Sequence, residues 1–597
     1  MREKMKELEY PFDGDYILKK KKSIKKALLA NGKKRVPVKI AILGGSTTND
    51  IKLILELFLL DYGLEPEFYE SEYDQFYEDV MFDNEKLVKF CPDIIYIHTS
   101  GRNIKKYPLL TDPAEHVEKM LEEEYQYYVG LWEKIEKKYH CTIIQNNFEM
   151  PYNRLMGNME ASDIHGKINY RMRLNYRIYG YAREHENFFI NDINYLSASY
   201  GLERWLDPFY WHMYKYAMAV PAIPEFAFNL ANIIKSIYGK NKKGLVLDLD
   251  NTLWGGIVGD DGVENLEIGQ ETSVGQAYTE FQTYLKEQKQ IGVILNVDSK
   301  NDMENALAGI NHPDGVLKKD DFICIKANWE SKDHNIREIA AELNLLPESL
   351  VFVDDNPAER AIVAAQLPGV AVPEMNQVER YGHVLDRSGF FEVTKFSEDD
   401  AKRNEMYQEN AKRAEFKAAF SDYREYLVSL EMRGTIRAFE PLYMARIAQL
   451  TNKSNQFNLT TRRYTQPEVE KAAADGACIT LYGKLEDKFG DNGVVSVVIA
   501  QQEAKKCHIE LWLMSCRVLK RDMEKAMLDA LVRQCRNRGI EIIYGYYYPT
   551  AKNAMVKDFY GIQGFEKVSE DADGNTVWEM PVNESYNDKN TVIKVEE

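Results

Sequence analysis

A chain of 597 residues, 45% hydrophobic and 28% charged, holds enough apolar material for about three to five domains. Its formal charge of −18 argues against a general nucleic-acid or anionic-membrane surface, which would need clustered cations. No stretch reaches the ~18 uninterrupted apolar residues of a membrane span, and the seven cysteines lack paired or CxxC spacing. A cytoplasmic, reducing setting without structural zinc is therefore expected.

Residues 1–36 form a basic segment whose run Lys19–Lys26 lacks the apolar core of a signal peptide and reads as a solvated helix face. Residues 37–240 read as an α/β domain. The strand candidates are Val38–Leu43, Asp93–His98 and Thr142–Ile144, separated by helical stretches, which implies a mostly parallel sheet. The Gly44-Gly-Ser46 turn, the Gly101/Asn103 pair and the later Asp207 with His212 loosely resemble the blocks of SGNH-type esterases. In those, a serine, oxyanion donors and an Asp/His pair act together. The interval from Asp207 to His212 is longer than that family uses, so a scaffold or docking role is expected.

The segment 241–390 carries the strongest chemical signal. Gly244–Leu247 reads as a buried parallel strand that delivers Asp248 and Asp250 to its carboxyl edge, where ligands bind in α/β folds. Two acids one residue apart, followed by Thr252, suit phosphoryl transfer. Asp248 would attack phosphorus, and Asp250 would protonate the leaving oxygen and then activate water. A second strand, Ile291–Val297, leads to Ser299, a donor to phosphoryl oxygens. Lys332 follows as a charge-neutralising cation, and a third strand, Leu350–Val353, delivers Asp354 and Asp355. Hard oxygen ligands of this kind suit Mg²⁺, with Asp248, Asp354 and Asp355 as carboxylate donors and Asp250 contributing its backbone carbonyl. This ordered set resembles the haloacid dehalogenase (HAD) superfamily. Only 51 residues separate Asp248 from Ser299 and 33 separate Ser299 from Lys332. Neither interval accommodates an inserted cap domain, so a capless, doubly wound core is expected.

Residues 391–431 show apolar spacings of three and four, with Ser397 as an N-cap, and read as a helical connector. Residues 432–584 resemble an N-acetyltransferase (GNAT-like) α+β fold. The supporting segments are the strands Val494–Ile499 and His508–Met514, the helix Met523–Arg538, the strand Glu541–Tyr547, and Asn553 with Phe559–Phe565. The acyl-CoA cradle of that fold is rich in glycine, but here Arg517-Val-Leu-Lys-Arg-Asp522 stands in its place. Lys520 and Asp522 crowd the position, and the carboxylate repels phosphate. Cys516 ends an apolar strand beside Arg517, Lys520 and Arg521, a setting that favours a thiolate able to carry an acyl group. A buried structural cysteine is the competing reading. Two accounts fit Asn452, Lys453, Asn455 and Arg462: a capped helix end with a polar turn, or a substrate pocket gripping hydroxyls or phosphate. The tail from Ser585 to Glu597 is polar and reads as disordered.

Five strings tie these parts together: LVLDLDNTLWGGIVGDDG (245–262), SKND (299–302), FVDDNPAER (352–360), LTNKSNQFNLTTRRYT (450–465) and LMSCRV (513–518). With them the chain resembles the FkbH-like family: HAD proteins of subfamily IIIC with an N-terminal SGNH-like α/β domain and a C-terminal GNAT-like domain. The resemblance implies a Mg²⁺-dependent phosphatase/acyltransferase that takes a 1,3-bisphosphoglycerate-like acid. It would load the glyceryl unit as a thioester onto a separate acyl carrier protein. A plain phosphatase acting on a sugar or acyl phosphate, with the flanking domains as binding modules, is the alternative. Neither reading involves nucleic acid or membrane insertion.

Overall fold

The computed structural model describes residues 5–32, 34–417, 419–550, 552–583 and 586–596. It forms two compact units, one ending at Ser236 and one beginning at Ile237. Among the described residues no helix is long and apolar enough to cross a membrane, and all seven cysteines are free thiols.

The first unit is built on a parallel sheet in the order β2-β1-β3-β4-β5, where β1 is Val36–Gly44, β2 Leu64–Glu70, β3 Ile94–His98, β4 Thr142–Asn146 and β5 Phe188–Asn191. Ile40 to Leu43 and Ile94 to Ile97 are buried on both faces, as parallel strands covered by helices must be. The basic N-terminal segment belongs to this unit rather than standing apart from it. Asp13 caps the helix Gly14–Ala30 through Tyr16 N at 3.0 Å, and Ile17, Ile24 and Leu28 are buried. Lys21 and Lys25 reach Asp50 and Glu56 on the helix Asn49–Asp61, each at 2.7 Å. The lysine run is thus the wet face of a packed helix.

The second unit opens with a four-stranded parallel sheet, β8-β7-β6-β9, made of β6 (Gly244–Leu247), β7 (Ile294–Ser299), β8 (Phe322–Ala327) and β9 (Leu350–Val353). Apolar clusters cover both faces. Leu245, Leu247, Val351 and Val353 point to one, and Val246, Ile294, Leu350 and Phe352 to the other. The strand expected at Ile291–Val297 begins three residues later. Ile291 caps the preceding helix Ser273–Gln290 and Gly292 turns at φ +86°, which places Asp298 and Ser299 inside the strand end. The two intervals that could have held a cap contain only the helices Val258–Asp261, Ser273–Gln290 and Met303–Ile310, short 3₁₀ turns, and the core strands β7 and β8. The core is capless.

Ser397 caps the connector as expected, in a reciprocal box with Asp400. The connector helix Arg403–Lys417 is fastened to the C-terminal domain by Arg413, whose guanidinium meets the fully buried Asp487 at 2.7 and 2.8 Å. That domain is a mostly antiparallel sheet in the order β16-β17-β15-β14-β13-β12-β10-β18. Its strands are β10 (Arg433–Arg437), β11 (Phe457–Asn458), β12 (Cys478–Asp487), β13 (Gly490–Glu503), β14 (Lys506–Met514), β15 (Ile542–Tyr547), β16 (Glu566–Glu570), β17 (Thr576–Pro581) and β18 (Lys594–Glu596). β14 and β15 run parallel and pair only over Lys506–His508 and Ile542–Tyr544. The helix Met523–Asn537 crosses between them, giving the GNAT-like α+β arrangement.

The tail departs from expectation. Ser585 and Glu597 lie outside the described residues, but 586–596 are built into the domain. The Tyr586 hydroxyl and the Lys589 and Asn590 amides donate to the buried Asp529, Ile593 joins the core, and β18 pairs with β10. A polar sequence holds its place here because one buried carboxylate needs several donors.

Arg413→Ala should cost about 1.5–3 kcal/mol of unfolding free energy in a denaturant titration, since the buried Asp487 carboxylate loses its bidentate partner and keeps, among the described residues, only Arg521 at 3.2 Å as a cation. A loss below about 1 kcal/mol would show the pair to be no better than a surface ion pair.

Candidate active site

The carboxyl ends of β6, β7 and β9 converge. Asp248 follows β6, Asp298 and Ser299 end β7, and Asp354 and Asp355 follow β9. Lys332, the first residue of the helix Lys332–Glu342, projects into this edge. Its Nζ lies 2.6 Å from Asp248 Oδ1 and 3.3 Å from Asp354 Oδ2, and it donates to the Asp298 carbonyl at 2.5 Å. Burial works against the Lys332 charge, but the carboxylates of Asp248, Asp354 and Asp298 overcome it and hold the ammonium above its ordinary range. Lys326, the other cation near this motif, is committed to Glu338 and Glu342 at 3.0 and 2.6 Å.

The acids are held apart in role by their surroundings. Burial, reinforced by the Asp248 charge, pushes Asp354 up to about 6, and the same two causes raise Asp355. Asp250 is not one of the trio. Its Oδ1 accepts from Trp254 Nε1 and Val258 N at 3.0 Å each, and its Oδ2 accepts from Asn301 Nδ2 at 2.9 Å. Burial raises Asp250 as well, which suits a group that must arrive carrying a proton. Ser299 is 2% exposed and is the last residue of β7, level with the acids.

One set of carboxylates fits a hard divalent cation. Single oxygens of Asp248, Asp354 and Asp355 lie within 4.8 Å of one another, and Asp354 Oδ2 is buried without accepting a hydrogen bond. A buried carboxylate oxygen that accepts no hydrogen bond and has, among the described residues, only the Lys332 ammonium at 3.3 Å, in an all-oxygen set, is one that Mg²⁺ would satisfy. The Asp250 carboxylate lies outside this trio, in keeping with the expectation that Asp250 would offer its backbone carbonyl rather than its side chain. Thr252 is displaced from substrate contact. It is fully buried, and its Oγ1 accepts the Asp355 amide at 3.1 Å, which makes it a positioning residue for the metal loop.

The remaining expected residues are not brought here. Asn452 donates to the Ala448 and Tyr464 carbonyls, Asn455 accepts from Arg463, and Arg462 pairs with Glu510 at 2.9 Å. Their polar atoms are used to fix the chain around residues 448–464, which is the capped-helix account of that string. Only Lys453 enters a charged cluster, with Asp400 at 3.0 Å. Cys516 packs against the phosphatase-type core beside Tyr407 and near Lys243, the residue that immediately precedes β6. Asp248 immediately follows that strand, so the thiol and the acid trio are served by opposite ends of β6, about 13 Å of extended chain.

The cradle positions Lys520 and Asp522 adopt φ of +64° and +61°, a left-handed backbone that glycine would take without strain. Arg521 turns inward to Asp487 and Asn410. In the first unit no described hydrogen bond links Ser46, Asp207 and His212. Ser46 Oγ is buried without a partner, Asn103 Nδ2 donates to the Gly45 carbonyl at 2.9 Å, Asp207 caps Phe209 N, and His212 is exposed. These residues make turns rather than a relay.

Sequence reasoning missed Trp254 and Asn301, which hold Asp250, and Asn335, which holds Asp298 Oδ1 at 2.9 Å. Asn301 lies inside the SKND string, the one available signal for it.

Sheet order, capless intervals and the acid–lysine edge define a HAD-type phosphoryl-transfer domain followed by a GNAT-like domain. The profile described as "FkbH, N-terminal domain" matches residues 39–235. The chain is 31% identical, with a TM-score of 0.58, to the N-terminal part of the Bacteroides fragilis protein BF1531, a structure containing a phosphatase domain complexed with Mg. The match covers 64% of this chain and 99% of that one. The protein belongs to the FkbH-like family. Two further solved structures align with about a quarter of the chain. The Escherichia coli ribosomal-protein-S18-alanine N-acetyltransferase matches at 13% identity, covering 26% of this chain and 99% of that one, with a TM-score of 0.20. Ard1 of Thermoplasma volcanium matches at 18% identity, covering 25% and 99%, with a TM-score of 0.21. No curated protein matches the chain.

Because ligation requires deprotonated carboxylates, Mg²⁺ affinity should fall as pH drops below about 6, the range to which Asp354 is raised, and level off above it. Calorimetric titrations across that range check this, and a flat profile would count against the trio. Lys332→Ala should remove about 2.7–4 kcal/mol of transition-state stabilisation, read as kcat/KM. Because it also strands buried acids, it should lower the Tm of the metal-free protein, with Mg²⁺ restoring part of the loss.

Proposed function

We propose that the protein is a Mg²⁺-dependent phosphatase coupled to acyl transfer, acting on a phosphorylated three-carbon acid and loading its glyceryl unit onto a separate acyl carrier protein. The observation that carries the phosphatase half is Lys332 held between Asp248 and Asp354 at the carboxyl edge of the sheet. Asp248 attacks phosphorus to form an aspartyl-phosphate, while Asp250 gives its proton to the departing oxygen. Asp250, now a base, takes a proton from water, which attacks the same phosphorus and releases Asp248 and phosphate. Lys332 and Ser299 hold the phosphoryl oxygens throughout. Mg²⁺, held by Asp248, Asp354 and Asp355, would neutralise charge building on those oxygens. Asn301 and Trp254 keep the Asp250 carboxylate turned toward its task.

The acyl half uses Cys516. Its thiolate attacks the acyl carbon of an acyl phosphate and expels phosphate. A carrier thiol then attacks the thioester carbonyl, and Cys516 leaves as thiolate. Separation of the two chemistries along β6 favours a carrier arm that presents the acyl chain to each opening in turn. The engagement of Asn452, Asn455 and Arg462 with neighbouring groups favours the plain phosphatase instead, since it reduces what they can offer an acyl substrate.

Incubation with 1,3-bisphosphoglycerate and candidate carriers, followed by intact-protein mass, separates the readings. Asp248→Asn should abolish release of the ester phosphate while leaving the fold intact, and Asp250→Asn should slow that release by roughly 10²–10⁴-fold. Cys516→Ala should stop carrier loading and the phosphate expelled with it, and leave release of the ester phosphate at Asp248 untouched. Loading that continues in Cys516→Ala removes the thiol from the route, and phosphate release with no acylated carrier leaves the plain phosphatase.

A further inference from the structure

A second charged centre lies where the connector helices meet the C-terminal sheet, and the phosphatase chemistry does not use it. Asp399 Oδ2 meets Arg446 Nη2 at 2.7 Å and Arg517 Nη2 at 3.3 Å. Asp400 is paired with Arg403 and, at 3.0 Å, with Lys453 Nζ. Lys243 is coupled to Arg403, Arg517 and Cys516, and among the described residues no carboxylate pairs with it. Five cations therefore share two carboxylates. Arg446 Nε is buried with no acceptor. Burial lowers Lys243, brings Lys453 down to about 8 and Arg446 to about 10, as expected for charges short of counterions. The Tyr407 hydroxyl contacts Cys516 at the same junction.

Proteins do not bury surplus charge without something to pair it, because an uncompensated buried ion costs several kcal/mol. A single carboxylate would not meet a surplus of this size, whereas a phosphate monoester offers two charges and several acceptor oxygens to guanidinium donors. We propose that this junction binds a phosphate monoester dianion beside Cys516 Sγ, with Arg446 and Lys243 as its principal donors. The phosphate of a three-carbon acid has this chemistry, whereas the arm of a carrier protein is a phosphodiester with a single charge; free 4′-phosphopantetheine, a monoester, serves as a second probe. The proposal concerns binding alone and stands whether or not Cys516 carries an acyl group.

The test is calorimetric titration of the full chain carrying Asp248→Asn, in EDTA, with 3-phosphoglycerate and with 4′-phosphopantetheine. At least one should bind with a Kd of about 1 mM or tighter. Arg446→Gln and Lys243→Met should each weaken it by about ten-fold or more, whereas Ser299→Ala, in the phosphatase site, should not. Lys243→Met keeps the apolar stem, so it remains informative if Arg446→Gln loosens the junction in a melting experiment. Absence of binding by both probes at about 10 mM overturns the site. So does affinity that is lost in Ser299→Ala and kept in both Arg446→Gln and Lys243→Met.

Discussion

Everything at the carboxyl edge of the phosphatase-type sheet depends on one buried ammonium. Three parallel strands end side by side and bring Asp248, Asp298 and Asp354 into a space that would expel them by mutual repulsion. Lys332, itself 2% exposed, makes that convergence tolerable. The arrangement is strained in its charge balance rather than its backbone. Burial pushes Asp298 up to about 7 and Asp354 to about 6 despite the lysine. Such a cluster is poised for a further cation and for the oxygens of a phosphoryl group, since both complete its electrostatics. Catalytic readiness and a stability deficit are here the same fact.

Much of this was legible in the sequence because parallel strands covered on both faces read as short apolar runs, and an acid at the end of such a run has one place to go. Asp248, Ser299 and Asp354 fall where strand ends put them, and Lys332 opens the helix that follows β8. Illegible were residues whose role is set by what a helix or loop brings across. Asn335 reaches Asp298 from one turn into its helix, and Thr252 looks like a substrate donor until its hydroxyl is seen under the Asp355 amide. The start of β7 was misplaced because Ile291 is apolar but serves as a helix cap before a left-handed glycine. Likewise, the polar string 450–465 has the composition of a pocket, yet its amides close on their own backbone.

The C-terminal domain repeats the lesson in its backbone. Parallel strands β14 and β15 pair at one end and then part, which leaves main-chain donors and acceptors open along the gap. This chain fills the gap itself. Phe457 and Asn458 pair with Met514 and Leu513, and Leu459 N donates to the Trp512 carbonyl at 3.1 Å. Tyr548 N and Asn553 Nδ2 close the other side at 2.9 Å each. A segment whose side chains look ready for a ligand is occupied in holding two strands apart. With Lys520, Arg521 and Asp522 replacing a glycine cradle, the domain keeps the fold's sheet while spending its ligand-facing edges on internal contacts.

Charge is then distributed in a way the net value of −18 conceals. At one end of β6 three acids surround a single lysine, and at the other Lys243 joins four cations around two acids. An acid-rich edge admits phosphate only with help, through Lys332 and a metal, so binding there is coupled to chemistry. A cation-rich junction admits an anion directly and has no acid placed to attack it. A four-residue strand thus carries a field from one sign to the other. Under the function proposed above, a phosphorylated three-carbon acid would be held at the basic end and lose its ester phosphate at the acidic one.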